Sequence, residues 1–124
     1  MAQSILTSTK KVLGLVEADT SFDLDIMLHI NSVLAILNQV GIGPEEGFTI
    51  EDSTPTWEAF VGTDKRLSLV KTYVYLRVRM LFDPPSTSFV IESIEKQVAE
   101  IEWRLNVHRE GESWTSPFPP APIP

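Results

Sequence analysis

Apolar residues between positions 22 and 40 recur at the spacing of an α-helix. They are Phe22, Ile26, Ile30, Val33, Leu37 and Val40. Successive members are 4, 4, 3, 4 and 3 residues apart, which places all of them on one helical face. Candidate N-caps precede this run in Asp19-Thr20-Ser21, and Gly41 supplies a stop after it. The pattern therefore predicts a long amphipathic helix that begins at residues 19–21 and ends at Gly41.

The densest apolar run lies between residues 67 and 85 and carries two helical stripes. One stripe holds Leu67, Val70, Val74, Val78 and Leu81, and the other holds Leu69, Tyr73, Leu76 and Met80. Two stripes indicate two buried sides, so we predict a central helix over residues 64–82 with neighbours on both flanks. A strand is the alternative for this β-branched and aromatic segment, but the run exceeds ordinary strand length. The sequence Asp83-Pro84-Pro85 ends the helix because proline cannot continue its hydrogen-bond ladder.

Weaker patterns predict three further helices. Residues 5–15 form a first helix that ends near Gly14. A cap at Thr54 followed by Pro55 begins a short helix over residues 55–61. A last helix runs from residues 86–88, where Ser or Thr can cap it, to about Asn106. The acidic, turn-rich segment between residues 41 and 62 is otherwise irregular, and residues 48–50 could pair briefly as a strand.

The aromatic residues of these helices carry expectations about burial. Trp57 and Phe60 share one face of the short helix, so we expect them in the core, with an exposed recognition patch as the alternative. The apolar side of the last helix comprises Phe89, Ile94, Val98, Ile101 and Leu105. Trp103 is two residues from both Ile101 and Leu105, and it should therefore point away from that side, toward a flank or a partner.

The chain changes character after His108. The segment EGESWTSPFPPAPIP has five prolines in its last eight residues, which is typical of an extended polyproline arm and not of a packed core. We therefore expect an all-α fold, a small bundle of about four helices with an irregular acidic loop. The predicted organisation is a helical domain over residues 1–108 and an arm over residues 109–124. Candidate partner-binding residues of the arm are Trp114, Phe118, Pro119, Pro120 and Ile123.

Charge is separated along the chain. The net charge is −7, which argues against general affinity for nucleic-acid backbones. Between residues 12 and 64 there are ten carboxylates and no Lys or Arg, and five cations then follow within fifteen residues. Such blocks are either solvated faces or complementary contacts between subunits. The candidate interface residues are Lys65, Arg66, Lys71, Arg77 and Arg79 with Glu45, Glu46, Glu51 and Asp52.

Candidate chemistry is sparse. The chain has no cysteine and two histidines, so disulfides and thiolate metal sites are excluded. Asp25 and His29 are four apart and could make half a metal site, but without further ligands an ordinary polar pair is strongly favoured. The paired carboxylates occupy cap and loop positions where acids are common, and Gly41-Ile42-Gly43-Pro44 lacks the lysine and preceding strand of a phosphate loop. We therefore predict no catalytic, cofactor or metal site.

Nothing in the sequence predicts a membrane segment. No window approaches the roughly 18 apolar residues of a spanning helix, and the first residues lack the layout of a signal peptide. We expect the protein to be made and used in a cytoplasm-like compartment.

Two blocks of the chain resemble a known family. The first, LTSTKKVLGLVEADTSFDLDIMLHINSVLAILNQVGIGP, has a short helix, an acidic linker and a long helix of the type D-x-x-I-x-x-x-I-x-x-x-x-x-x-L that closes at a glycine. The second, RLSLVKTYVYLRVRMLFDPP, is a cationic, apolar and tyrosine-bearing helix. Both resemble the head-tail connector (adaptor) proteins of tailed phages, which sit beneath the portal. The full last helix and the arm depart from the short ending of many members.

The resemblance implies a structural virion protein. It implies a ring of about a dozen copies, with the portal protein on one side, the next tail-side connector or stopper on the other, and DNA only as passing cargo. Its place would be the head-tail interface of the virion, after assembly in the host cytoplasm. An acidic first half and a basic central helix are compatible with contacts around such a ring.

A different function is also compatible with the sequence. A small acidic helical protein could sequester a basic partner through its acidic half, while its proline-rich arm binds an aromatic groove. The presence or absence of a ring separates the two functions.

Overall fold

The computed structural model describes residues 3–62 and 66–113, with side chains to residue 106. Five helices and no strands occur in these ranges: α1 Ile5–Val12, α2 Asp23–Gln39, α3 Trp57–Val61, α4 Leu67–Phe82 and α5 Ser88–Ser113. The prediction of a small all-α bundle with a short extra helix is confirmed. Residues 1–2, 63–65 and 114–124 lie outside the described part of the chain, and with them the candidate arm residues Trp114, Phe118, Pro119, Pro120 and Ile123.

Helix α4 is the central element, as its two apolar stripes predict. Val70, Tyr73, Val74 and Val78 are buried, and α2 and α5 pack on its two flanks. Phe22 before α2 stacks edge-to-face on Phe82 at the end of α4, with 5.5 Å between ring centroids, so α2 and α4 run in opposite directions. The five-residue turn 83–87 then brings α5 back along α4.

Helix α2 buries the face that its spacing predicts, but it begins later than expected. Ile26, Ile30, Val33 and Leu37 are buried, whereas Phe22 is partly exposed. The predicted cap at residues 19–21 is wrong: the residue before the helix is Phe22, without a side-chain cap. The carboxylate of Asp19 instead accepts a hydrogen bond from the Ser21 N–H at 3.0 Å, which holds these residues in a turn. Gly41 has a positive φ of 88° beyond the helix end, as expected of a C-terminal stop.

Helix α5 matches its predicted apolar side except at the first position. Ile94, Val98, Ile101 and Leu105 are buried, but Phe89 is 80% exposed, because it lies in the first turn of α5, beyond the cover of α4. Trp103 is 65% exposed, as predicted. The helix also continues past the predicted end near Asn106 to Ser113, across the boundary proposed at residue 108. The first helix-breaking proline is Pro117, and Gly111 alone costs only about 1 kcal/mol.

The short helices close the core from the side of α2 and α4. Trp57 and Phe60 are buried, so the expectation of core aromatics is confirmed. The Trp57 Nε1–H donates to Ser8 Oγ at 2.8 Å, and backbone hydrogen bonds join the start of α1 to residues 55–57. Helix α3 is capped by Thr56 and not by Thr54, and α1 ends at Val12, before Gly14.

Residues 48–50 form no strand and are held to α2 by a side chain. The Asn31 Nδ2 donates to the Ile50 carbonyl at 3.0 Å, and the Ile50 N–H donates to Asn31 Oδ1 at 2.8 Å. Asn31 thus satisfies both backbone groups of Ile50 in the manner of a neighbouring strand. This pairing fixes the acidic loop, residues 42–54, along α2.

Candidate assembly surfaces

The cations predicted as one interface do not form one patch. Arg66 is largely buried at the start of α4, so the expectation that all five occupy the surface is wrong for it. Lys71 donates to Gln3 Oε1 at 3.0 Å. Arg77 and Arg79 are two residues apart and so lie on opposite sides of the helix, with Arg79 exposed. Lys65 lies outside the described residues, so Arg79 is the α4 cation in the described part that faces solvent most openly.

Arg77 is turned toward α5. Its guanidinium lies over the Tyr73 ring, 5.8 Å from the centroid, a cation–π arrangement. Its Nε is buried and has no hydrogen-bond partner among the described residues. The Tyr73 hydroxyl donates to Glu102 Oε2 at 2.7 Å. Burial, together with this bond, raises the pKa of Tyr73 well above its ordinary value, because the charged phenolate would be poorly solvated beside a carboxylate.

A cleft of about 400 Å³ opens between α4 and α5 beside Arg77. Its lining residues are Arg77, Met80, Leu81, Ile94, Glu95, Val98, Ala99 and Glu102. Five of these residues are apolar and three, Arg77, Glu95 and Glu102, are charged, so the cleft combines apolar surface with a few polar groups as binding clefts do. The sequence indicated the two helices but not this opening, because a cleft depends on how closely they approach.

The predicted acidic residues are presented on the loop that Asn31 holds. Glu45, Glu46, Glu51 and Asp52 are all exposed. Asn38 supports the other end of this loop, because its Nδ2 donates to the carbonyls of Ile42 and Pro44 at 3.2 and 2.6 Å. The four carboxylates therefore sit on an anchored loop, and the expectation that they are surface groups is confirmed.

Apolar side chains are exposed near the end of the bundle where α2 begins and α4 ends. They are Phe22, Leu24, Leu28, Leu81 and Phe89. Leu24 and Leu28 are one helical turn apart on α2 and therefore share a face. Sequence reasoning placed Phe22, Leu81 and Phe89 toward the core. Exposed apolar pairs such as Leu24 and Leu28 are candidates for contacts with other proteins.

A buried lysine was not singled out from the sequence. The Lys10 side chain is 3% exposed and lies 2.9 Å from Asp23 Oδ1. Its Nζ also donates to the carbonyls of Glu17 and Asp19 at 2.9 and 2.7 Å. The two carbonyls accept hydrogen bonds from the ammonium group, and the Asp23 carboxylate balances its charge. The side chain fixes the turn between α1 and α2, a structural task that explains its burial.

The described residues contain no clustered metal-binding chemistry. Within residues 3–62 and 66–113, no three His, Asp or Glu side chains are grouped so that they could hold a metal ion. In the same part of the chain, no helix combines the length and apolarity needed to cross a membrane.

These features define a small all-α protein whose described surfaces are suited to contacts with other proteins. The family model described as "Phage connector protein" matches residues 5–112. The chain belongs to this family, as its two resembling blocks indicate, and its role is that of a structural head-tail connector of a bacteriophage. No curated protein and no solved structure shows significant similarity to it.

Proposed function

We propose that this chain assembles into a closed ring that joins the portal to the tail and lets DNA pass. The family match over residues 5–112 is the observation that supports this most strongly. The ring would hold about a dozen copies, with the portal on one side and the next tail-side connector or stopper on the other. Its place is the head-tail interface of the virion, after assembly in the host cytoplasm.

A ring requires two different, complementary surfaces on each copy. The exposed carboxylates Glu45, Glu46, Glu51 and Asp52 supply an acidic one. Arg79 supplies exposed positive charge on another helix, and Lys65 and Lys71 of the same basic segment contribute to it. We assign the acidic loop of one copy to the Arg79 side of the next, since opposite charges direct the partners into one register.

The remaining charge suits a channel for DNA. With 17 acidic and 10 basic side chains, each copy carries surplus carboxylates after the subunit contacts are made. Carboxylates that face a lumen repel phosphates, so DNA can slide through without binding. DNA is thus cargo and not a ligand of this ring.

Electron microscopy of purified virions, and of the protein mixed with its portal, tests the proposal. We expect a ring stacked on the portal. A protein that remains monomeric at every concentration and is absent from virions would contradict it. Capture of one host protein at equal stoichiometry, without a ring, would favour the partner-sequestering function instead.

A further inference from the structure

We propose that the cleft between α4 and α5 of one copy binds the proline-rich segment, residues 117–124, of a neighbouring copy. The proposal rests on the proposed ring, because it names the partner of one of its surfaces. The cleft and the segment are matched in three respects: apolar content, hydrogen-bonding capacity and reach.

The apolar content of the cleft fits the segment. Met80, Leu81, Ile94, Val98 and Ala99 form its apolar lining. The segment PFPPAPIP contains no ionisable side chain, so it adds no charged side chain to those of Arg77, Glu95 and Glu102 in the cleft. Polyproline segments bind such grooves at low entropic cost because their conformation is largely preformed.

The hydrogen-bonding capacities are complementary. Five residues of PFPPAPIP are prolines, which have a carbonyl but no N–H. A polyproline conformation makes no internal hydrogen bonds, so its carbonyls require donors from the groove. Arg77 lines the cleft, and a guanidinium carries N–H donors at its two terminal nitrogens and no acceptor. A guanidinium at this cleft is suited to bind a segment that brings eight backbone carbonyls but only three N–H groups.

The reach of the segment favours a neighbouring copy over the same one. Helix α5 extends eleven residues past Glu102, to Ser113, which carries the chain about 16 Å beyond the cleft. An arm that returned to its own cleft would have to reverse and run back along α5. In a closed ring, an arm given to the next copy leaves every copy giving one arm and receiving one.

Cysteine cross-linking tests the proposal directly, because the full chain has no cysteine of its own. One preparation carries Ala121→Cys in the arm, and a second carries Ala99→Cys in the cleft. After mixing, assembly and mild oxidation, we expect a disulfide-linked pair of the two chains. The matched control replaces Ala99→Cys by Ala35→Cys, because Ala35 on α2 is also exposed. The cleft variant should yield about tenfold more linked pair, because docking raises the local concentration of the arm cysteine.

Two changes at Arg77 test the chemistry of the cleft. In the Ala99→Cys chain, Arg77→Met keeps an apolar side chain but removes every donor, so most of the linked pair should be lost. Arg77→Lys keeps a charged donor and should retain part of it. Far-ultraviolet circular dichroism of each variant establishes that the bundle is still folded. Equal yields from Arg77→Met and the parent would overturn the role of Arg77.

The outcomes also separate this inference from the proposed ring. If rings form but Ala99→Cys and Ala35→Cys give equal yields of the disulfide-linked pair, the docking is overturned and the proposed ring is not. A linked pair formed in solution without rings would support the docking and contradict the ring. A chain with both Ala99→Cys and Ala121→Cys that links only within itself would assign the arm to its own cleft and overturn the exchange between copies.

Discussion

At the scale of single residues, Lys10 shows how one buried ammonium sets the start of a helix. It holds the carbonyls of Glu17 and Asp19 and the carboxylate of Asp23 at once. Asp19 could cap a helix by composition, yet its backbone is already engaged in this turn. The sequence could not reveal this, because a lysine is expected at the surface unless its buried partners are known.

Replacing Lys10→Met should destabilise the protein by about 3 kcal/mol, because the Asp23 carboxylate would keep its partly buried place without a partner. Lys11→Met is the matched control, since Lys11 is exposed and should change the free energy of unfolding by only about 0.5 kcal/mol. Urea denaturation followed by circular dichroism measures both. Equal effects of the two changes would show that the Lys10 contacts contribute little.

Tyr73 gives the protein a predictable response to alkaline pH. Its pKa is raised above the ordinary value of 10.0 by burial and by the bond to Glu102. The neutral phenol is therefore favoured in the folded state, and its contribution to stability is complete below pH 10.0. As the pH rises beyond that value toward the raised pKa, this contribution is lost.

The near-ultraviolet absorbance of tyrosinate measures this ionisation. In the folded protein we expect an ionisation step above pH 10.0 that disappears in Tyr73→Phe. The variant should also lose about 1 kcal/mol at neutral pH, with the Glu102 hydrogen bond. Because the chain has two tyrosines, the ionisation of Tyr73 is the difference between the two titrations. A difference that is complete by pH 10.0 would contradict the interpretation.

At the scale of elements, apolar periodicity predicts the helices and their buried faces, whereas their ends depend on tertiary contacts. The stripes of α2, α4 and α5 each identify core residues such as Ile30, Val74 and Ile101. Phe89 continues the apolar spacing of α5 but lies beyond the neighbouring helix. Its exposure therefore depends on how far the neighbouring helix extends and not on the spacing. The cleft beside Arg77 could not be predicted from the sequence either, because two helices form it together.

The anchoring of the acidic loop belongs to this scale and can be tested at Asn31. In Asn31→Ala the N–H and carbonyl of buried Ile50 would lose their partners, so unfolding should become easier by about 2 kcal/mol. Limited proteolysis should then cut residues 42–54 faster. Ser32→Ala is the control on the exposed side of the same helix turn. Loop cleavage at the parent rate would mean that Asn31 does not anchor it.

At the scale of the whole molecule, the separation of acidic and basic residues along the chain predicts how neighbouring copies contact each other. If Arg79 meets the acidic loop of the next copy, Arg79→Glu should prevent ring formation and leave the monomer helical. Lys96→Glu provides the same charge change at an exposed site on α5 and should leave rings intact. Sedimentation and circular dichroism measure assembly and folding separately. If Arg79→Glu still forms rings, Arg79 is a solvated residue and not part of the contact between copies.

The contact between α1 and α3 has a consequence for the order of folding. The Ile5 N–H donates to the Pro55 carbonyl at 3.1 Å, and the Trp57 N–H donates to the Gln3 carbonyl at 3.0 Å, so these bonds close a loop of about fifty residues. The α4–α5 hairpin needs only a five-residue turn and should form earlier, because short loops lose less chain entropy. We expect amide hydrogen exchange at Ile5 and Trp57 to be faster than at Val74. Equal protection of these amides from exchange would indicate that the protein unfolds as one cooperative unit. The expected order means that the amino-terminal segment docks last, on a helical bundle that has already formed.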